Sequence, residues 1–172
     1  MNRTGTVYWI TGLSGSGKTT VGSLLCERLK SQGKPVVLLD GDALREAFGH
    51  DLGYSQEDRR RSAMRNAKLC RLLAEQGIDV VCATISMFHA CRDWNRSHIS
   101  SYREIYLRVS LDTLVARNQK GLYSVAMNGS NQEVAGMTIA IEEPREAHLV
   151  VDNEGEITPE QIVSRILALD VS

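Results

Sequence analysis

Residues 12 to 19 read Gly-Leu-Ser-Gly-Ser-Gly-Lys-Thr. This is the G-x-x-x-x-G-K-T spacing of a phosphate-binding loop. Glycines at 12, 15 and 17 let a backbone bend tightly and turn its N–H groups onto an anion, where a Cβ would obstruct. A helix starting at Lys18 points its N-terminal partial positive charge at the same spot. Lys18 can reach β- and γ-phosphate oxygens, and the Thr19 hydroxyl can ligate Mg²⁺. The expected ATP contacts are Gly12, Leu13, Ser14, Gly15, Ser16, Gly17, Lys18, Thr19 and Thr20.

A second group is Asp40-Gly41-Asp42, which ends an apolar run. Phosphoryl transfer needs a carboxylate to hold Mg²⁺ or its waters, and a hydroxyl acceptor benefits from a carboxylate within proton reach. Asp40 and Asp42 can divide those roles, with Thr19 and Asp40 as the metal ligands. The alternative for Asp42 is a helix N-cap before Ala43. Arg45, Arg59, Arg60, Arg61 and Arg65 offer planar forks that match phosphate or sulfate. Three consecutive arginines also suit a solvated helix face. Arg117 and Lys120 open a segment that, closed over ATP, would bring positive charge to the γ-phosphate and exclude competing water. His50, His89, His98 and His148, and Cys26, Cys70, Cys82 and Cys91, have no metal-site spacing. Cys26, Cys70 and Cys82 read as small core residues, whereas the pattern around Cys91 gives it no place.

Five apolar strands are expected to position these groups: Val7–Thr11, Pro35–Leu39, Asp79–Thr84, Tyr102–Val109 and His148–Val151. Between them fall helices at Lys18–Gln32, Ala43–Phe48, Ser55–Gln76, Ala90–Ile99 and Leu111–Asn118, with a last one at Pro159–Leu169 capped by Thr158. Residues 119–141 contain glycine, Asn and Ser, are weakly patterned, and are expected to form a mobile lid. Buried strands alternating with helices imply an α/β protein of three layers, a five-stranded parallel sheet covered on both faces. Ligands bind such sheets beyond the carboxyl ends of the strands. That edge collects the loop, Asp40, Asp42, Ile85 and Ser86. A length of 172 residues suits a single domain over 1–172. The net charge of -1 excludes a general nucleic-acid or membrane-surface role. No apolar run approaches the roughly 18 residues needed to span a bilayer. The unpaired cysteines and the absence of a leader pattern point to the reducing cytoplasm. Together these features describe a small P-loop kinase whose acceptor is still open.

The chain also resembles the adenylylsulfate (APS) kinase family over nearly its whole length. The matching pieces are TGLSGSGKTT (11–20), LDGDALR (39–45), DLGYSQEDR (51–59), ISMF (85–88), KGLY (120–123) and EEP (142–144). The resemblance implies transfer of the ATP γ-phosphoryl group to the 3′-hydroxyl of APS, giving PAPS and ADP with Mg²⁺, in a homodimer. By position it makes Asp40 and Asp42 the acidic pair at the reacting centre. Arg45 and Arg59 become ligands of the substrate's acidic groups, and Tyr54 stacks on its base. Ile85 and Ser86 lie along the substrate. Lys120 is the lid lysine near the phosphates, with Leu122 beside it. Ser62 stands where the family has Asn. Ser86-Met87-Phe88-His89 stands for S-P-Y-R, and Gly136-Met137-Thr138-Ile139 for Gly-Phe-Thr-Gly, so Met137 takes the place of the Phe on the second face of the base. The ATP half matches the family and the acceptor half departs from it. Relatives in surface-polysaccharide pathways act on other nucleotides, such as cytidine diphosphoramidate, which is the alternative acceptor. A nucleotide-binding regulatory module with weak catalysis is the second alternative.

Overall fold

The structure is a computed structural model that describes residues 3–118, 121–129 and 133–170. The elements run β1 (Val7–Thr11), α1 (Lys18–Ser31), β2 (Val36–Asp40), α2 (Gly41–Ala47), α3 (Gln56–Glu75), β3 (Asp79–Ala83), α4 (His89–His98), β4 (Tyr102–Arg108), α5 (Leu111–Arg117), α6 (Leu122–Met127), β5 (Leu149–Asp152) and α7 (Pro159–Ala168). All five strands are parallel, in the order β2-β3-β1-β4-β5. The α/β layering expected from the alternation of apolar runs and helices is therefore present.

The strand period of two explains the layers. Tyr8 and Ile10 of β1 face one way and join Val21, Leu25 and Leu29 of α1 and Ile162 and Ile166 of α7. Val7 and Trp9 face the other way and pack with Ala63, Ala67 and Cys70 of α3 and Cys91 of α4. β1, between β3 and β4, is buried at every residue. β2 was expected to be buried as well. It is half-exposed along its length, because it forms one edge of the sheet and has a single neighbouring strand. Register sets the carboxyl edge: Ala83 pairs with Ile10 on one side and Asp40 on the other.

Local signals fix most helix ends. Ser55 accepts from the Asp58 N–H at the start of α3, and Thr158 and Gln161 form a reciprocal capping box with Pro159 in the first turn of α7. α2 begins two residues earlier than expected. Asp40, not Asp42, is its cap, accepting from the Asp42 N–H at 3.0 Å. The segment expected to be an irregular lid contains α6, and Ala135 bridges Ile139 within a turn. Tyr123 and Val134 are buried there with Val109 and Leu114, so the described part of the segment has a small apolar core.

All four cysteines are free and buried, and Cys91 belongs to the α3–α4 layer. Burial pushes the Cys26 and Cys91 thiols up, Cys91 to about 12, and a hydrogen bond with Cys70 raises Cys82 further. α4 also carries a buried guanidinium, Arg92, whose Nε lies 3.7 Å from Glu104 of β4. Arg96 reaches the same carboxylate at 2.8 Å. Burial raises the Glu104 carboxyl above its usual range, and the Arg96 charge opposes that.

Core and cap should separate in chemical denaturation. Leu25→Ala, at a side chain with no exposure, is expected to cost about 2–5 kcal/mol. Thr158→Ala is expected to cost about 1 kcal/mol. Equal losses in urea melts would contradict this partition.

Candidate active site

The loop between β1 and α1 is held from outside by its carbonyl groups. Leu13 O accepts from Lys18 Nζ at 2.7 Å and from the Ser16 N–H at 3.1 Å. Ser14 O accepts from the Tyr123 hydroxyl at 2.6 Å. Gly15 O accepts from Arg117 at 3.1 Å, and Ser16 O from the Asn153 amide at 2.9 Å. Arg117 is itself fixed by a second bond to Asn153 O at 2.7 Å. No peptide here is cis. Across a trans peptide the C=O and the following N–H point in opposite directions. Tyr123, Arg117 and Asn153 tie the Ser14, Gly15 and Ser16 carbonyls outward, which turns the N–H groups of Gly15 and Gly17 inward. Gly17 needs its glycine twice over: its φ is +95°, and a Cβ would lie 2.8 Å from the Asn153 amide nitrogen. Ser16 Oγ is buried with no partner among the described residues, which suits a cradle awaiting an anion.

At the mouth of this loop the Thr19 hydroxyl donates to Asp40 Oδ2 at 2.7 Å. Strand register brings the pair together, since Asp40 ends β2 and Thr19 lies in the first turn of α1. Both are hard oxygen donors near solvent, and Mg²⁺ takes one or two such protein oxygens with phosphates and waters for the rest. No cluster of three or more His, Cys, Asp or Glu that could cage a metal occurs among the described residues. The residues fit a magnesium ion shared with a nucleotide, not a dedicated metal centre.

Beside this lies a cavity of about 120 Å³ whose lining includes Asp42, Arg45, Tyr54, Arg59, Ser62, Ile85 and Ser86. The structure thus brings together seven residues that the sequence marked for the acceptor. Arg45 lies over the Tyr54 ring at 4.2 Å and Arg59 at 5.5 Å. Arg45 donates to Leu52 O and Gly53 O, and Arg59 to Tyr54 O and Glu133 O. Neither forms an ion pair among the described residues, and both line the cavity with Asp42. Burial, and next the Arg45 charge, hold the Arg59 guanidinium below its usual range. Ser86 sits at a φ of +31°, its hydroxyl 2.8 Å from that of Thr84. Ile85 O accepts from the Thr11 hydroxyl.

Four marked residues lie elsewhere. Met137, expected over the base, packs on the Val109–Leu114–Tyr123–Val134 cluster. The tight turn at Val134, whose carbonyl accepts from Met137, Thr138 and Ile139, swings Ile139 into the cavity lining in its place. Leu122 opens α6 and does not line the cavity. Arg117 braces the loop from behind, through carbonyls. Thr20 is exposed on α1. Lys120 lies outside the described residues. Sequence reasoning missed Tyr123, Asn153, Thr84 and Asn66. Asn153 follows the carboxyl end of β5, so the strand-end rule could have found it.

A family model described as adenylylsulphate kinase matches residues 4–152. The chain belongs to that family. It is 42% identical over 161 residues to the cytidine diphosphoramidate kinase of Campylobacter jejuni, covering 94% of each chain. It is 37% identical over 163 residues to the adenylyl-sulfate kinase of Bacillus velezensis, covering 94% of this chain and 82% of that one. Among solved structures, the Mycobacterium tuberculosis APS kinase in complex with AMPPNP and APS superposes with a TM-score of 0.91 at 29% identity over 99% of both chains. This kinase is a phosphotransferase with ATP as its phosphate donor. No described helix is long and apolar enough to cross a membrane.

The loop tethers make a direct prediction. Tyr123→Phe deletes one hydrogen bond of about 0.5–1.5 kcal/mol, so the KM for ATP should rise about three- to tenfold. Steady-state kinetics at saturating acceptor would check it, and an unchanged KM for ATP would show that the tether does not shape the loop.

Proposed function

We propose that this kinase transfers the γ-phosphoryl group of ATP to the 3′-hydroxyl of adenylyl sulfate, giving PAPS and ADP. The observation that carries the reading is the Thr19–Asp40 pair at the phosphate loop beside a cavity lined by Asp42 and the guanidiniums of Arg45 and Arg59. Such a cavity suits an anionic nucleotide that presents a hydroxyl to the bound triphosphate.

In this reading the inward N–H groups of Gly15 and Gly17, with Lys18, hold the β- and γ-phosphates. Thr19 and Asp40 would hold Mg²⁺, which when bound neutralises charge on the phosphates. Asp40 is already committed to Thr19 and to the cap of α2. Asp42, which lines the cavity, accepts the proton of the attacking hydroxyl. The new bond forms between the 3′-oxygen and the γ-phosphorus, the bond to the bridging β–γ oxygen breaks, and ADP leaves. Arg45 and Arg59 take the acceptor's acidic groups, Tyr54 and Ile139 enclose its base, and Lys120 contributes charge near the transferred group. The same reading takes the chain as one kinase domain, working as a cytoplasmic homodimer. A Thiobacillus denitrificans APS kinase is described as hexameric, so light scattering should be run beside the assays.

A second reading is favoured by one specific observation. The Campylobacter jejuni relative at 42% identity is a cytidine diphosphoramidate kinase, and Ser62, which stands where the family has Asn, lines the acceptor cavity. A pyrimidine acceptor needs a smaller stacking surface than adenine, which suits Ile139.

An ADP-release assay with adenylyl sulfate, cytidine diphosphoramidate and simple alcohols, each over a range of concentrations, decides between them. A 3′-phosphorylated product from adenylyl sulfate is expected. Product from the cytidine compound alone would establish the second reading. Slow ATP turnover with no phosphorylated acceptor would leave a nucleotide-binding regulator. Lys18→Ala should abolish turnover with whichever acceptor works, and full activity in that variant would refute the assignment of the loop.

A further inference from the structure

One polar group in the acceptor cavity has no structural task. Asn66 is 3% exposed and lines the cavity, and its Oδ1 has no hydrogen-bond partner among the described residues. Four other polar side chains of the lining have partners. Arg45 and Arg59 donate to carbonyls, and the Thr84 and Ser86 hydroxyls bond each other. Buried polar groups in folded proteins are satisfied in the great majority of cases. An orphaned acceptor on the wall of a ligand cavity therefore asks for a donor that the protein lacks.

The position on α3 supports this. Arg59, Ser62 and Asn66 follow the i, i+3, i+7 spacing of one helix face, and all three line the cavity. Asn66 lies about 10 Å along the axis from Arg59, on the inner wall, flanked in the lining by Thr84, Met87 and Phe88. The last torsion of an asparagine side chain is soft, so the carboxamide can turn its oxygen toward a group entering the cavity. A carboxamide oxygen accepts hydrogen bonds from N–H or O–H and gains nothing from a sulfate or phosphate oxygen, which is an acceptor too.

We propose that Asn66 determines acceptor specificity by accepting a hydrogen bond from an N–H donor on the nucleotide. The inference rests on the kinase reading above and narrows its substrate class to acceptors that carry such a donor. Two sources share this chemistry: an exocyclic amino group of the base, as in adenine or cytosine, and the amide nitrogen of a phosphoramidate.

The test compares wild type with Asn66→Leu, which has similar volume and no acceptor. Calorimetry measures acceptor binding in the presence of ADP, and steady-state assays measure KM and kcat. Each acceptor is paired with an analogue lacking one N–H donor: adenylyl sulfate with its purine-riboside counterpart, and cytidine diphosphoramidate with its 4-deamino pyrimidin-2-one counterpart and with CDP. Asn66→Leu is expected to weaken the parent acceptor about tenfold, to leave the KM for ATP unchanged, and to leave the analogue lacking the read donor unaffected. A penalty that disappears with the analogue whose base carries hydrogen for the amino group assigns the donor to the base, and one that disappears with CDP assigns it to the amide. Because Oδ1 has no partner in the unliganded fold, Tm should hold or rise. Whatever Tm does, the ratio between parent and analogue decides. Equal weakening of both, or of neither, overturns the proposal. Wild type that makes no phosphorylated product while Asn66→Leu still shows the selective binding loss would sink the kinase reading and leave the Asn66 assignment standing.

Discussion

The site depends on one constraint, that three consecutive peptide carbonyls, from Ser14 to Ser16, are each claimed by a donor on the outer side of the loop. Those donors come from far along the chain: Tyr123 in α6, Arg117 at the end of α5 and Asn153 after β5. A glycine-rich loop left to itself has large backbone freedom. Here that freedom is removed by the layers that assemble around the sheet, so the anion cradle is complete only when α5, α6 and the end of β5 are in place. The parallel sheet provides the frame, because β1 lies between β3 and β4 and all the strand ends that matter face the same edge.

The two halves of the site are built from different materials. The phosphate side is largely main chain, shaped by glycines and carbonyl tethers. The acceptor side is made of side chains: Arg45, Tyr54 and Arg59, then Ser62 and Asn66, then Ile139. Main-chain recognition changes little under substitution, whereas side-chain recognition changes with each one. That difference accounts for a family whose members bear different acceptor names while sharing one fold. It also locates the meaning of the departures at Ser62 and at the Gly136–Ile139 turn.

Much of this was legible in the residues. Strands, their carboxyl-edge site and most helix caps follow from apolar periodicity and from Ser55 and Thr158. Other features required folding to appear. β2 looks as apolar as β1, and only its place in the strand order leaves it half-exposed. Asp40 and Asp42 are equivalent as a pattern, and the start of α2 distinguishes them. Met137 and Ile139 are two residues apart, and a turn with three N–H groups on one carbonyl decides which of them meets the substrate. No local pattern shows that Arg92 of α4 and Glu104 of β4 are buried against each other. Asn66 looks like an ordinary helical residue until its missing partner is seen.

The four sequestered thiols have a practical corollary. A thiol held near 12, as Cys91 is, has on the order of one part in 10⁵ as thiolate at neutral pH, and alkylating reagents attack thiolates. Cys70, Cys82 and Cys91 all sit in the layer between the sheet and the α3–α4 pair, and Cys26 in the opposite layer. Modification must then wait for those layers to part. The rate of iodoacetamide labelling, followed cysteine by cysteine, is thus an internal clock for the breathing of each side of the sheet, and nucleotide that clamps the loop should slow it.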